Sequence, residues 1–368
     1  MANKDHAEDS ASRESRFDSA DGGKDASWPA KDLEFVQTCP LCGGTDRECV
    51  FSGLSDRHLF GAPGSWTMYE CRNCQTGYLD PRPTAGSIGR AYERYYTHEA
   101  SDGVPRSNGD WRARTFASLV NGYSNWRYGT KFRPSTRWGL LAALCLPGKR
   151  SLLDRKFRHW PSDRDGRTKL LDVGLGSGAF MQLAQAGGWA TTGVDLDQRT
   201  VKNARDKGLN AIFGGIEALT SEAETFDYIT ISHVIEHVYD PRAVLACAYR
   251  LLRPGGKIWI ETPNWHAIGR RVYGGSWRGL EPPRHVVLFS WDALVESLER
   301  IGFSNVKPIP IRAITSHVFQ ASEALRKGAS PYSIQVNRFR AKLKALVANA
   351  QSRSNFRTTE FITLTAEK

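Results

Sequence analysis

The chain has no long apolar run. Among its 368 residues the longest, 138–146, is far shorter than the roughly 20 residues a membrane-spanning helix needs. It also lacks the apolar stretch of a secretory signal near its start. These two absences point to a cytoplasmic protein. Large apolar side chains are scarce in residues 1–34, which are rich in Asp, Ser, Ala, Gly and Lys. Such a segment cannot bury enough surface to order itself, so a disordered tail is expected there. A disulfide framework is missing as well, because seven cysteines is an odd number and four of them fall in two Cys-x-x-Cys pairs.

Acids are scarce in two blocks. Residues 101–168 carry fourteen Lys/Arg against five Asp/Glu, and residues 312–357 carry nine against one, whereas residues 1–35 carry five against nine. The two basic blocks more than account for the formal net charge of +11. They suit anionic partners such as phosphates, nucleic acid or an acidic membrane surface, with a solvated basic face as the plain alternative.

Residues 35–80 hold the cysteine pairs, Cys39-Pro40-Leu41-Cys42-Gly43-Gly44 and Cys71-Arg72-Asn73-Cys74, separated by 28 residues. Thiolates two residues apart can hold one ion from a tight turn, and two such turns complete a tetrahedron. A structural Zn2+ on Cys39, Cys42, Cys71 and Cys74 is therefore expected, within a small zinc ribbon. Four unligated thiols is the alternative. Four sulfur ligands leave no open position, so no metal catalysis is expected there. Cys49, Cys145 and Cys247 lack partners at ligand spacing and read as packing residues. Residues 81–168 read as a basic, helical cap. It opens with an extended Asp80-Pro81-Arg82-Pro83 segment and a tyrosine-bearing helix at 88–96, and it contains a short apolar helix at 138–146. Basic residues beside that helix suit a membrane-surface element, but burial over the core is the more ordinary reading.

From residue 169 strands and helices alternate, which predicts a parallel, doubly wound sheet. Its first turn, Asp172-Val173-Gly174-Leu175-Gly176-Ser177-Gly178-Ala179, has the strand–glycine–helix form that receives a nucleotide-like ligand. One reading is the dinucleotide fingerprint Gly174-x-Gly176-x-x-Ala179, with Asp195 following at about the right interval. The other is that Asp172-x-Gly174-x-Gly176-x-Gly178 resembles motif I of the class I S-adenosylmethionine (SAM) methyltransferases. Downstream come Gly193-Val194-Asp195-Leu196-Asp197, then Ser232-His233-Val234-Ile235-Glu236-His237 in a strand-to-helix turn, then Leu251-Leu252-Arg253-Pro254-Gly255-Gly256 before a fifth strand. In that order these motifs resemble class I SAM methyltransferases, especially the branch containing the ubiquinone-pathway O-methyltransferases. The resemblance covers roughly residues 169–311.

The resemblance implies a Rossmann-like, seven-stranded sheet with an antiparallel last strand. It implies that Asp172 and the loop of Gly174, Gly176 and Gly178 hold the methionine part of SAM. Asp195 would take the ribose hydroxyls, with Leu196 beside it, and Glu217 would lie near adenine. The family often has an acid two positions before Glu217, where this chain has Gly215. Ser232 and His233 would line the floor under the sulfonium.

The chain ahead of the SAM core resembles the layout of bacterial surface-polysaccharide and sugar methyltransferases, with a Cys-Pro-x-Cys-Gly pair, a second pair and an Asp-Pro-Arg-Pro segment. That suggests a sugar, glycolipid or other anionic small-molecule acceptor. RNA is the alternative, since some RNA methyltransferases carry a four-ligand zinc module, and a non-catalytic scaffold is a third reading. If the acceptor nucleophile is a hydroxyl, a base must take its proton. His285 is the first candidate and His237 the second; local bonding is the plain reading of each. Arg278 and Arg284 are candidates to hold a phosphate. The zinc ligands precede the SAM domain by a long stretch, so cofactor affinity is expected to survive loss of the module. In the basic insertion 312–357, Val336, Phe339, Leu343 and Leu346 recur at helical spacing. They predict an apolar face packed down and a basic face, with Arg338, Arg340, Lys342 and Lys344, turned toward the acceptor.

Overall fold

The computed structural model describes residues 27–59, 61–93, 111–160, 167–331 and 338–368. Residues 1–26 of the expected tail, Tyr95 and Tyr96 of the tyrosine helix, and Val336 of the insertion lie outside that set.

The central sheet has seven strands: β6 (Lys169–Val173), β7 (Ala190–Asp195), β8 (Ala211–Phe213), β9 (Phe226–Ser232), β10 (Leu252–Pro263), β12 (Ser304–Pro308) and β13 (Phe361–Glu367). Their order is β12-β13-β10-β9-β6-β7-β8. Strands β8 through β10 run parallel, while β13 lies antiparallel to both neighbours, β10 and β12. This is the Rossmann-like methyltransferase sheet that the motifs imply. Leu170, Leu171 and Val173 of β6 and Ile229 and Ile231 of β9 are buried, as central parallel strands covered on both faces must be. The chain reverses direction across the sheet at β6, which has β7 on one side and β9 on the other, so the ligand edge lies at the carboxyl ends of these strands.

Local chemistry sets the helix starts. Asp197 accepts from Arg199 N, Asp240 from Ala243 N with Pro241 at the first helical position, and Ser290 Oγ from Ala293 N. Each satisfies an otherwise orphaned N–H. Gly302, at φ 118°, closes the Trp291–Ile301 helix in a left-handed conformation that a side chain would resist.

The cysteine pairs lie in a second, antiparallel sheet of β2 (Arg47–Leu54), β3 (Trp66–Cys71), β4 (Gly77–Leu79) and β11 (Val287–Leu288), in the order β11-β4-β3-β2. Its edge strand β11 comes from far along the chain, with Val287 opposite Tyr78. The expected self-contained ribbon of 35–80 is therefore not an independent unit. Cys39, Leu41, Cys71 and Tyr78 share one core with Val286, Phe289, Trp291 and Ile235. Residues 82–83 also belong with this part, since β5 (Arg82–Pro83) pairs with β1 (Leu33–Glu34). The end of the expected tail is ordered: Trp28 is buried edge-on against Trp66, and its Nε1 donates to Ser87 Oγ at 3.3 Å.

Among the described residues the cap holds the α-helices Trp111–Tyr128, Trp138–Cys145 and Pro147–Lys156. Tyr128 stacks on Phe157 at 4.0 Å, and Tyr123, Tyr128, Ala143 and Phe157 pack with Leu183 of the helix that follows the glycine loop. The expectation that 138–146 is buried does not hold. Gly139 and Ala143 face inward, while Trp138, Leu141, Leu144 and Leu146 are exposed. Of the lone cysteines, Cys247 is a packing residue, but Cys49 and Cys145 are exposed.

The insertion after β12 forms two helices, Thr315–Arg326 and Arg338–Ser354. The second packs by the opposite face from the one its hydrophobicity suggests. Ala341, Ala345 and Ala348 are buried, and Phe339, Leu343 and Leu346 are exposed. Small side chains let the two helices approach closely, and in this pairing closeness outweighs apolar size. Lys344 is partly spent on Glu323, 3.6 Å away.

Candidate active site

The glycine loop leaves β6 with Gly174, Gly176 and Gly178 all at positive φ. Two of the three are required by the protein itself. A Cβ on Gly174 would collide with Val234 Cγ2, and one on Gly178 would meet Leu209 Cδ1 at 2.5 Å. Around Gly176 nothing lies within 4 Å of a Cβ, so this position opens toward the ligand edge. Its N–H donates to Asp195 Oδ2 at 3.1 Å, and Asp195 Oδ1 accepts from Asp197 N at 2.9 Å. The two bonds aim the Asp195 carboxylate at the end of β7. Beside it Leu196 is 75% exposed, and Phe213, in register with Asp195 on β8, is 54% exposed. Exposed apolar side chains flanking a carboxylate and a glycine turn suit a purine and its ribose.

Asp172 lies beneath the loop, 2% exposed, and accepts from Thr230 Oγ1 at 2.7 Å. Burial pushes its carboxyl up to about 6, against the opposing pull of Arg158 and the Thr230 bond. Glu217 lies in the Ile216–Leu219 turn, and its carboxylate folds into the space a side chain on residue 215 would take; a Cβ on Gly215 would meet Glu217 Oε1 at 2.5 Å. The missing acid at 215 is thus replaced in space by the one at 217.

His233 departs from a simple floor. It adopts φ 54°, Nδ1 lies 3.3 Å from Glu236 Oε1, and Nε2 lies 3.1 Å from Glu261 Oε1. Burial disfavours its charged form, but the two carboxylates outweigh this and raise its pKa. Arg155 reaches in from the cap, with Nε 2.8 Å from Glu261 Oε1. Glu261 is fully buried and also accepts from Thr363 Oγ1 at 2.9 Å. Ser232, paired with Glu261 across the strands, is half-buried beside it. Arg155 and Glu261 were not singled out from the sequence. An acid ending the apolar run Lys257-Ile258-Trp259-Ile260-Glu261 was the available signal for the second; nothing local marks the first.

The two base candidates come together. The rings of His237 and His285 are 4.8 Å apart, and both stand near Glu236. His285 Nδ1 donates to Gly279 O at 2.7 Å, and His237 Nδ1 donates to Arg284 O at 2.9 Å, with Tyr92 Oη 3.1 Å away. A backbone carbonyl only accepts, so each imidazole carries a proton on Nδ1, and the neutral ring of His285 presents Nε2 as its basic nitrogen. Burial pushes His285 down to about 4, so it is neutral near pH 7. Burial opposes the charge on Glu236, but the bond to His233 holds it at about 2.

The phosphate candidates fail. Arg284 is fully buried and holds Asp56 with two bonds, of 2.7 and 2.9 Å. Arg278 is paired with Glu281. The segment 264–290 is mostly buried against the cysteine-bearing sheet. Trp265 is fully buried, packs on Gly77 and donates through Nε1 to Glu70.

The four cysteines converge. Cys39 and Cys74 Sγ are 3.6 Å apart, Cys42 and Cys71 Sγ are 3.5 Å apart, and all four sulfurs lie within 4.8 Å. Four ligands at the usual Zn–S distance would stand about 3.8 Å apart, so the donor set fits a tetrahedral ion. The two turns are built alike. Gly43 N bonds Cys39 O and Gln75 N bonds Cys71 O, with Gly43 and Gln75 both at positive φ.

Residues 148–307 match the family model described as Methyltransferase domain. The cysteine-bearing sheet lies outside the match, apart from β11. The chain is similar to the ubiquinone biosynthesis O-methyltransferase of Pseudomonas fluorescens, 33% identical over 115 residues that make up 29% of this chain and 50% of that protein. The protein of the same name from Idiomarina loihiensis is 37% identical over 106 residues, 26% of this chain and 42% of that one. The chain thus spans half or less of the length of these relatives. A SAM-dependent methyltransferase structure from Archaeoglobus fulgidus aligns with a TM-score of 0.40 at 23% identity, over 67% of this chain and 98% of that one. Likeness at that level adds nothing to what the sheet order shows.

Proposed function

We propose that the protein is a SAM-dependent methyltransferase that methylates a hydroxyl of a sugar or glycolipid acceptor. The observation that carries the reading is the cradle at the end of β6 and β7: an outward-facing Gly176 beside a fixed Asp195 carboxylate, with Leu196 and Phe213 as apolar walls. These residues fit SAM. Asp195 would hold the ribose, Glu217 would approach the adenine, and Asp172 with the 174–178 loop would receive the methionine end. Bound SAM supplies an electrophilic methyl group on a positive sulfur. Replacing Asp195 by Ala is expected to weaken SAM binding at least tenfold, about 1.4 kcal/mol or more. Calorimetry giving an unchanged affinity would sink the assignment.

The chain's own residues then orient the acceptor and take its proton. The Nε2 of His285, fixed by the Gly279 carbonyl, is the proposed base, with His237 alongside. A positioned neutral imidazole at His285, with His237 beside it, suits a hydroxyl acceptor, in keeping with relatives named O-methyltransferases. The sugar or glycolipid class is supported by the cysteine-bearing layout ahead of the domain. His285→Ala should lower kcat by about 10²–10⁴ while leaving SAM affinity within about twofold. A fall in SAM affinity equal to the fall in rate would show that His285 only holds the loop. The acceptor class is tested with methyl-labelled SAM and a panel of nucleotide-linked and lipid-linked sugars. Label recovered in a nuclease-sensitive product would favour RNA instead.

The four thiols are proposed to hold one structural zinc. Metal analysis of freshly purified, reduced protein should give one zinc per chain.

A further inference from the structure

The cap carries a surface that methyl transfer does not use. The helices Trp111–Tyr128 and Trp138–Cys145 touch backbone to backbone. A Cβ on Gly122 would strike the carbonyl of Thr136, and one on Gly139 the carbonyl of Leu119. At about 100° per residue, the inward pair Gly139 and Ala143 lies opposite a stripe of Trp138, Leu141, Leu144 and Cys145. That stripe faces out: Trp138 is 69% and Leu144 60% exposed, and Leu141 and Leu146 are about half exposed. From 138 to 146 the sequence has no polar side chain. Lys131, Arg133 and Arg137 stand exposed just before the stripe and Lys149 just after it. Across residues 111–160 there are eleven Lys/Arg and a single acid, Asp154. That acid is taken up by the hydroxyls of Tyr123, at 2.7 Å, and Tyr128, at 2.6 Å.

We propose that this hairpin docks flat on an anionic lipid surface, seating Trp138, Leu141, Leu144 and Leu146 among the head groups and acyl chains while the flanking cations meet lipid phosphates. An indole, three leucines and a rim of Lys/Arg is the composition of an interfacial element. Eight residues are far too few to span a bilayer, and among the described residues no helix is long and apolar enough to cross one. Charge decides against a second copy of the chain, because face-to-face pairing would bring two strongly basic surfaces together. RNA would satisfy the cations but leave the leucines in water.

The test uses the full, metal-replete chain and vesicle flotation. Vesicles with roughly 30% phosphatidylglycerol in phosphatidylcholine should bind it, and pure phosphatidylcholine should bind it at least about tenfold less. Lipids brominated on their acyl chains should quench part of the tryptophan emission, and Trp138→Phe should remove that part. The exposed double variant Leu141→Asp, Leu144→Asp should lose at least about tenfold in partitioning with SAM affinity unchanged. The proposal is overturned by absence of flotation with anionic vesicles at low salt. It is also overturned by unchanged flotation of the double variant, which would leave only adsorption of a basic protein. A dimer that the double variant dissolves, or RNA binding that it abolishes, would assign the face to those partners instead.

Discussion

Replacing Cys71 by Ser is expected to abolish folding of the whole chain rather than of one small module. Cys71 is fully buried, and its neighbours Cys39, Leu41 and Tyr78 pack with Ile235, Val286 and Trp291 in a single core. Three links tie the cysteine turns to the part of the chain that carries the central sheet. Strand β4 pairs with β11, Leu79 N donates to Val286 O at 3.0 Å, and Ser290 Oγ donates to Cys74 O at 3.1 Å. Ser290 is also the cap of the Trp291–Ile301 helix. Structural zinc contributes about 10–16 kcal/mol of apparent binding energy in small zinc domains, as much as or more than the roughly 5–15 kcal/mol stability of an ordinary domain. Calorimetry should therefore show one transition, lost together with SAM binding in Cys71→Ser or after zinc chelation. Two separate transitions, with the second unmoved by chelation, would restore the modular picture that the sequence spacing suggests.

That difference shows which parts of the fold a sequence carries in the open. The central sheet is legible because each strand is a local signal: the largely apolar stretch of 170–173, the acid closing 190–195, the glycine turn between strand and helix. The antiparallel last strand follows from topology once those are placed. Strand β11 has two residues and no period to detect, and its partner Tyr78 lies 209 positions earlier, so only the folded chain reveals it. The Arg338–Ser354 helix fails for another reason. Hydrophobicity selects Phe339, Leu343 and Leu346, but close packing selects Ala341, Ala345 and Ala348, and sequence alone does not say which requirement rules. At the site the glycine turn and the acid at the end of β7 were readable from motifs. The polar group of Arg155, Glu261, Glu236 and His233 was not, because its members come from the cap, the end of β10 and the turn after β9, and only the three-dimensional arrangement makes them one unit.

The second large effect concerns Arg284, read from sequence as a phosphate holder. Its guanidinium is fully buried and donates to Asp56 Oδ1 and Oδ2, Glu281 Oε1 at 3.0 Å and Ala91 O at 3.1 Å. Asp56 in turn accepts from the backbone N–H groups of His58, Leu59, Gly61 and Ala62, so this ion pair anchors those residues, between β2 and β3 of the cysteine-bearing sheet, to the segment that carries Arg284. Arg284→Met keeps the volume but leaves the buried Asp56 without its cation and Glu281 with Arg278 as its remaining one. A loss of about 3–5 kcal/mol is expected, as when one partner of a buried pair is removed. Arg284→Lys should recover little, since a point charge cannot make the fork to Asp56. The pH dependence supplies the signature. In the native chain burial works to raise both carboxyls, but Arg284 holds Asp56 below its usual range, and Glu281 is held well below by Arg278, with Arg284 contributing. Their stabilisation is therefore present above the unfolded carboxylate pKa and lost as pH falls through the lower, folded values. Without Arg284, burial wins at Asp56, and its folded pKa rises above the unfolded one. The variant's deficit should then shrink as the solution is acidified and grow as pH rises through that raised pKa. Urea denaturation at pH 5 and pH 8 reads both the size and the direction. A deficit under about 1 kcal/mol at both values would mean that solvent or a rearranged neighbour satisfies the two acids. An anion could occupy Arg284 only by displacing Asp56 from the interior, so Arg284 is not available as a phosphate holder.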